Sequence, residues 1–219
     1  MANEQAIAKT FPSANAKAAG KKKLTTKYIA FVGMFSAVAS VLMFLEIPLP
    51  FAPSFYKIDF SEVPALIGGF AMGPLAGVLI ELIKILVHLL IKGTQTAGVG
   101  EVANFIIGCS LVVPASLIYK RAKTKNHAIV GMVIGTLLMT IVGPVINAYV
   151  LLPTYAAAFH MPMDALIGMG TAVNSHITSL LSFCILAVAP FNLVKGVAVS
   201  LITMLLYKHI SPVIHSAGI

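Results

Sequence analysis

AIVGMVIGTLLMTIVGPVINAYVLL, residues 128–152, carries no charged side chain and a single amide, Asn147. As a helix rising 1.5 Å per residue it would be about 37 Å long, enough to cross the ~30 Å hydrocarbon core of a bilayer. Comparable apolar runs recur on either side of it. The chain of 219 residues is 58% hydrophobic and 10% charged, with a mean hydropathy of +0.96. A water-soluble domain of this length needs far more surface charge. The reading is therefore an all-α integral membrane protein with a single membrane domain.

Working outward, six crossings are expected. The first is about Tyr28–Leu45, stopped by the prolines of segment 46–60. That segment is too proline-rich for helix and, with Leu49, Phe51, Phe55 and Tyr56, too apolar for an ordinary solvated loop, so it should cover something. A short second span, about Ser61–Met72, has Ser61 as a candidate cap, Glu62 suited to the N-terminal dipole and Pro64 in its first turn. Gly73 and Pro74 turn the chain into span three, about Pro74–Ile91. The glycine-dense loop 93–100 leads to span four, about Val102–Tyr119. Span five is the opening stretch, loop 153–170 follows it, and span six is about Ser179–Tyr207.

The net charge of +8 is topological. Lys9, Lys17, Lys21, Lys22, Lys23 and Lys27 precede the first span, and Lys120, Arg121, Lys123 and Lys125 share one loop, whereas Glu46, Asp59, Glu62, Glu101 and Asp164 fall at the other ends. Basic residues mark the cytoplasmic side. This gives a bundle of six transmembrane helices with both termini cytoplasmic, made of a basic tail (1–26), the membrane domain (27–208) and a short C-terminal tail (209–219). Basic residues placed this way do not suggest nucleic acid. Cys109 and Cys184 both lie in apolar stretches and offer neither metal spacing nor a disulfide framework.

Polar groups inside such stretches are costly and usually face a partner, a cavity or a substrate. Asn192 and Lys195 lie three apart, on one helical face, and Pro190 bends or begins the helix that carries them. Asn147 alone reads first as an interhelical hydrogen bond, and Lys195 alone could snorkel. Together, one ammonium and two carboxamides suit a heterocycle whose edge alternates C=O and N–H. Glu81 and Lys84, also three apart, read first as an internal ion pair and second as a proton relay that His88 would extend. Gly33 with Ala37, and Ser36 with Ser40, are small-x-x-x-small pairs that admit a neighbouring helix or a partner protein. Walker, kinase, serine-elbow and zinc-protease motifs are all missing from the sequence, so the chain is read as no enzyme and any energy source as external.

Several ordered segments resemble the riboflavin-binding S components (RibU type) of energy-coupling-factor vitamin transporters: PLPFAPSFYKIDFSEVP at 48–64, GPLAGVLIELIK at 73–84, GVGEVANFIIG at 98–108, NAYVLLPTY at 147–155 and APFNLVKG at 189–196. The resemblance runs from about Lys27 to Lys208. It implies a six-helix bundle of the bacterial cytoplasmic membrane that captures riboflavin near the outer face, as a transported ligand with no cofactor. It also implies association with a transmembrane coupling protein and two cytosolic ABC ATPases. Asn147, Asn192 and Lys195 would then hydrogen-bond the polar edge of the isoalloxazine ring. Leu49, Phe51 and Phe55 would cover its apolar end, Gly98 and Gly100 would let loop 93–101 close over the site, and Gly33 and Ala37 would face the coupling protein. The stretch 160–180 is longer than the shortest relatives have. Two other readings stay open: a self-contained proton-coupled carrier using Glu81, Lys84 and His88, and an S component for another vitamin. A membrane enzyme ranks last, because no nucleophile–base pair can be assembled.

Overall fold

A computed structural model of the chain describes residues 25–50, 53, 56–94 and 98–216, with 208–216 described by backbone alone. Helix α1 (Thr26–Phe44) starts where Thr25 Oγ1 accepts the Tyr28 N–H at 3.2 Å. It ends before a two-stranded antiparallel ladder, β1 (Ile47–Pro48) and β2 (Lys57–Ile58), paired Ile47 to Ile58 and Pro48 to Lys57. Segment 46–60 is thus a hairpin at its base, where an irregular loop was expected. Helix α2 (Glu62–Met72) follows, and Gly73, at φ +100°, makes the turn that seats Pro74 at the first position of α3 (Pro74–Lys92). Next come α4 (Val99–Ala122) and α5 (Lys125–Ile146). After α5 are the short α6 (Leu152–Ala158), α7 (Met163–Thr171) and α8 (Leu180–Phe183), then the long α9 (Ala189–Ser216).

Five helical stretches are long and apolar enough to cross a membrane: Thr26–Phe44, Pro74–Lys92, Val99–Ala122, Lys125–Ala158 and Leu180–Tyr207. Helix α2, with 11 residues, is too short to cross by itself and is buried along its whole length. It runs through the middle of the bundle, and its Leu66 and Phe70 share a core with Ile80, Leu111, Val112, Tyr119, Met132 and Met139. Outward faces are apolar as well: Leu90, Leu181 and Leu205 are at least 70% exposed. That inversion of the soluble pattern is what lipid contact requires. Of the two small-residue pairs on α1, Ser36 and Ser40 face inward and are buried, while Gly33 and Ala37 lie on the exposed side.

Two prolines are accommodated by π turns, Pro190 in the first turn of α9 as expected and Pro153 inside a stretch that runs on past the expected end at Leu152. A proline ring collides with the carbonyl four residues back. Pro153 would meet that of Tyr149 and Pro190 that of Leu186. Both carbonyls belong to π turns, Asn147–Leu151 and Cys184–Val188, closed by Leu152 N–H to Asn147 O and by Ala189 N–H to Cys184 O. The wider turn moves the carbonyl out from under the ring, so the fifth span continues past Leu152 to Ala158. One π turn begins at Asn147 and the other ends four residues before Asn192, so both amides flank these irregular turns.

Candidate functional site

Gly143 brings the two asparagines together. It lies on α5 against α9, and a Cβ there would stand 2.4 Å from Asn192 Nδ2, so only glycine permits the approach. One helical turn later, Asn147 Nδ2 donates to the Gly143 carbonyl at 2.8 Å. Asn192 Nδ2 donates to the Val188 carbonyl at 2.9 Å within its own helix. Each amide thus uses one N–H locally and, among the described residues, keeps a second. Asn147 Oδ1 accepts from the Tyr56 hydroxyl at 2.5 Å, tying the segment between the strands to helix five.

Asn147, Asn192 and Lys195, all at least 95% buried, line one cavity of about 150 Å³ with Glu62, Asn104, Met139, Leu151 and Phe191. A larger cavity of about 550 Å³ is bordered by Glu46, Lys57, Asp59, His88, Lys92 and Glu101. Lys57, Gly100, Asn104 and Tyr155 line both, so the two spaces adjoin. The smaller alone falls below the ~300–1,000 Å³ usual for ligand sites, and the larger lies within it. At the rim, Glu46 Oε2 accepts from Lys57 and Lys92, each at 2.9 Å, which clasps the end of α1, strand β2 and the end of α3. Burial pushes the Glu46 carboxyl up, but hydrogen bonds from Lys92 and Lys57 outweigh it and leave it below the ordinary carboxylate range.

Beneath the cavity is a closed ring of side chains. Lys195 Nζ meets Asp59 Oδ2 at 3.0 Å and Glu62 Oε1 at 2.9 Å. Asp59 Oδ1 accepts from the Ser61 hydroxyl, which itself accepts from Lys84 Nζ at 2.7 Å. Lys84 closes the ring on Glu62 Oε1 at 3.2 Å and branches to Glu81 Oε2 at 2.7 Å. The expected Glu81–Lys84 ion pair is present, but as one arm of this larger network. Asp59 and Glu62, read from the sequence as outer-side charges, are 5% and 0% exposed inside the bundle. Ser61, expected to cap α2, makes no capping bond because its hydroxyl serves Asp59 and Lys84 instead. His88 is buried against the Phe44 ring at 5.0 Å.

Of the remaining expected site residues, Leu49 is half-buried and packs on the cluster around Tyr56, Ile58, Phe183 and Phe191. Phe51 and Phe55 lie outside the described residues. Gly98 starts α4 at φ +86° with its N–H donating to Thr94 Oγ1 at 2.8 Å; Gly100, two residues on, lines both cavities. Sequence reasoning did not identify Asp59, Glu62, Tyr56 or Asn104 as site residues. The signal for them was that these polar groups sit inside or beside buried apolar segments.

Residues 27–207 match the family model described as the substrate-specific component of ECF transporters. The chain is 33% identical over 190 residues to the riboflavin transporter FmnP of Bacillus subtilis (strain 168), covering 86% of this chain and 94% of that one. It is 34% identical over 195 residues to the riboflavin transporter RibU of Staphylococcus aureus (strain TCH60), covering 88% and 96%. A solved structure of the S component of a bacterial ECF transporter superposes with a TM-score of 0.66 at 35% identity, over 85% of this chain and 96% of that one. Matched along nearly the full length of its membrane domain, the chain belongs to the substrate-specific component family of ECF transporters.

Proposed function

We propose that this chain is the capture subunit of an ATP-driven vitamin importer. It takes riboflavin at the outer side of the membrane and delivers it inward with a transmembrane coupling protein and two cytosolic ATPases. The observation that carries the reading is the meeting of Asn147, Asn192 and Lys195 on one buried cavity, in a chain whose relatives over 86% of its length include a named riboflavin transporter. The isoalloxazine edge alternates C=O and N–H, and the unused amide N–H groups and the ammonium supply its complement. Leu49, with Phe51 and Phe55 of the same segment, covers the apolar end of the ring. The larger adjoining cavity, with its mixed polar lining, suits the hydroxylated tail.

The clasp and the charge pattern support an orientation. Glu46 gathers the ends of α1 and α3 at one face, and the basic loop 120–125 lies at the far end of α4, which fits an outer cavity and an inner basic side. Helix α2, together with residues 57–61, then returns the chain between these faces, completing six traverses with both termini cytoplasmic. The exposed Gly33–Ala37 side of α1 fits close approach by the coupling protein.

Reconstituted vesicles test the assignment. Labelled riboflavin should accumulate only when the coupling protein, both ATPases and ATP are present. Uptake by this chain alone, abolished by a protonophore, would overturn it in favour of a carrier built on Glu81, Lys84 and His88.

A further inference from the structure

Lys195 sits among carboxylates with its set of acceptors incomplete. Two of its three N–H groups are directed to Asp59 and Glu62, and no third acceptor exists among the described residues. Beside it, Glu62 Oε2 is fully buried without a hydrogen-bond partner among the described residues, on a residue that lines the same cavity. The locus therefore presents one unspent donor on the cavity, with an unpaired carboxylate oxygen buried behind it. Its charge is also unusual for a lysine site: three carboxylates (Asp59, Glu62, Glu81) face two ammonium groups (Lys84, Lys195) in a single network. Even with one carboxyl protonated, the sum does not become positive. The other titratable groups on the cavity are Tyr56, Tyr155 and Lys57, and Lys57 is half-exposed and bound to Glu46.

Resting on the riboflavin reading, we infer that Asp59 and Glu62 determine specificity: by cancelling the Lys195 charge they make the site accept a neutral donor–acceptor edge and reject the same edge when it is anionic. A solitary lysine beside a flavin carbonyl would do the reverse and favour the anion. Fully reduced isoalloxazine loses its N1 proton near neutral pH, which places negative charge along that edge. The consequence is selection of the oxidised, neutral ring over the reduced anion. Asp59 acts through Lys195, as a positioning residue, and Glu62 positions Lys195 and opposes its charge from behind.

Anaerobic equilibrium dialysis of the purified full chain against oxidised and chemically reduced riboflavin, on both sides of the N1 ionisation, tests this. Affinity for the reduced ring should fall on the order of tenfold or more as it ionises, given the strength of unit charges at contact in a partly buried site, while that for the oxidised ring stays level across the same pH step. In Asp59→Asn and Glu62→Gln the fall should shrink, because each removes one opposing charge. Equal binding of neutral and anionic reduced riboflavin by the wild type would overturn the inference, and so would an undiminished fall in the variants. If the variants do not fold, the wild-type comparison still decides. Failure of the wild type to bind oxidised riboflavin would instead refute the substrate assignment itself.

Discussion

Lys84 and Lys195 are both ammonium groups withdrawn from water inside a membrane bundle, and they share Glu62 as an acceptor. Lys84 is wholly buried, hydrogen-bonded to Ser61 and Glu62 and in ion contact with Glu81 at 2.7 Å. Lys195 borders a cavity and meets only two carboxylates among the described residues. A buried cation whose acceptors are complete has nothing left for a ligand and ties helices together. One with a donor remaining beside a cavity is prepared to bind. The difference separates scaffold from site within one hydrogen-bonded ring.

Removing the complete cation should break the comparison most severely. Lys84→Met strands Glu81 and leaves Glu62 with Lys195 alone, and loss of one partner of a buried ion pair typically costs about 3–5 kcal/mol. We expect a collapse in the yield of folded protein or a large fall in Tm in detergent. Lys195→Met should keep more of the fold, since Glu62 retains Lys84 and Asp59 retains Ser61. Riboflavin affinity should drop by about 10–100-fold, the value of a hydrogen bond to a charged donor, as read by calorimetric titration. Gly143→Ala sharpens the geometric part: it removes no polar group but drives a methyl into Asn192. It should weaken binding about as much as Asn192→Leu, by roughly 5–15-fold, with a smaller effect on Tm than Lys84→Met.

The mildest change concerns the rim. Glu46→Gln removes the charge that gathers Lys57 and Lys92, and should raise the ligand dissociation rate a few-fold with little change in Tm, as exposed ion pairs contribute about 0–1 kcal/mol. The Glu46 carboxyl lies below its ordinary range in the folded chain. Its contribution is therefore present above the unfolded carboxylate pKa and lost as pH falls through the folded value. Stopped-flow dissociation should accelerate in that acid window for the wild type and show a flatter response in Glu46→Gln.

The class was legible in the sequence because lipid imposes a pattern of its own: an uncharged run as long as 128–152 suits a bilayer crossing and little else. Asn147, Asn192 and Lys195 were legible for the same reason, as polar groups where polarity is expensive. Their convergence on one cavity was not, because it depends on Gly143 letting α5 meet α9. The end of span five was placed too early, at Leu152, since local rules do not foresee a π turn at Asn147–Leu151. Asp59 and Glu62 were read as outer charges because spacing along the chain does not reveal a partner 136 residues away, as Lys195 is from Asp59.

The central claim is that the incompletely coordinated Lys195 is where this chain grips riboflavin. Titrating riboflavin into the detergent-purified chain and following flavin fluorescence, wild type beside Lys195→Met, tests it most directly. Stoichiometric quenching is expected from the wild type, and strongly weakened quenching from a variant that remains folded. A folded Lys195→Met protein that quenches as the wild type does, or a folded wild type that does not quench at all, would contradict it.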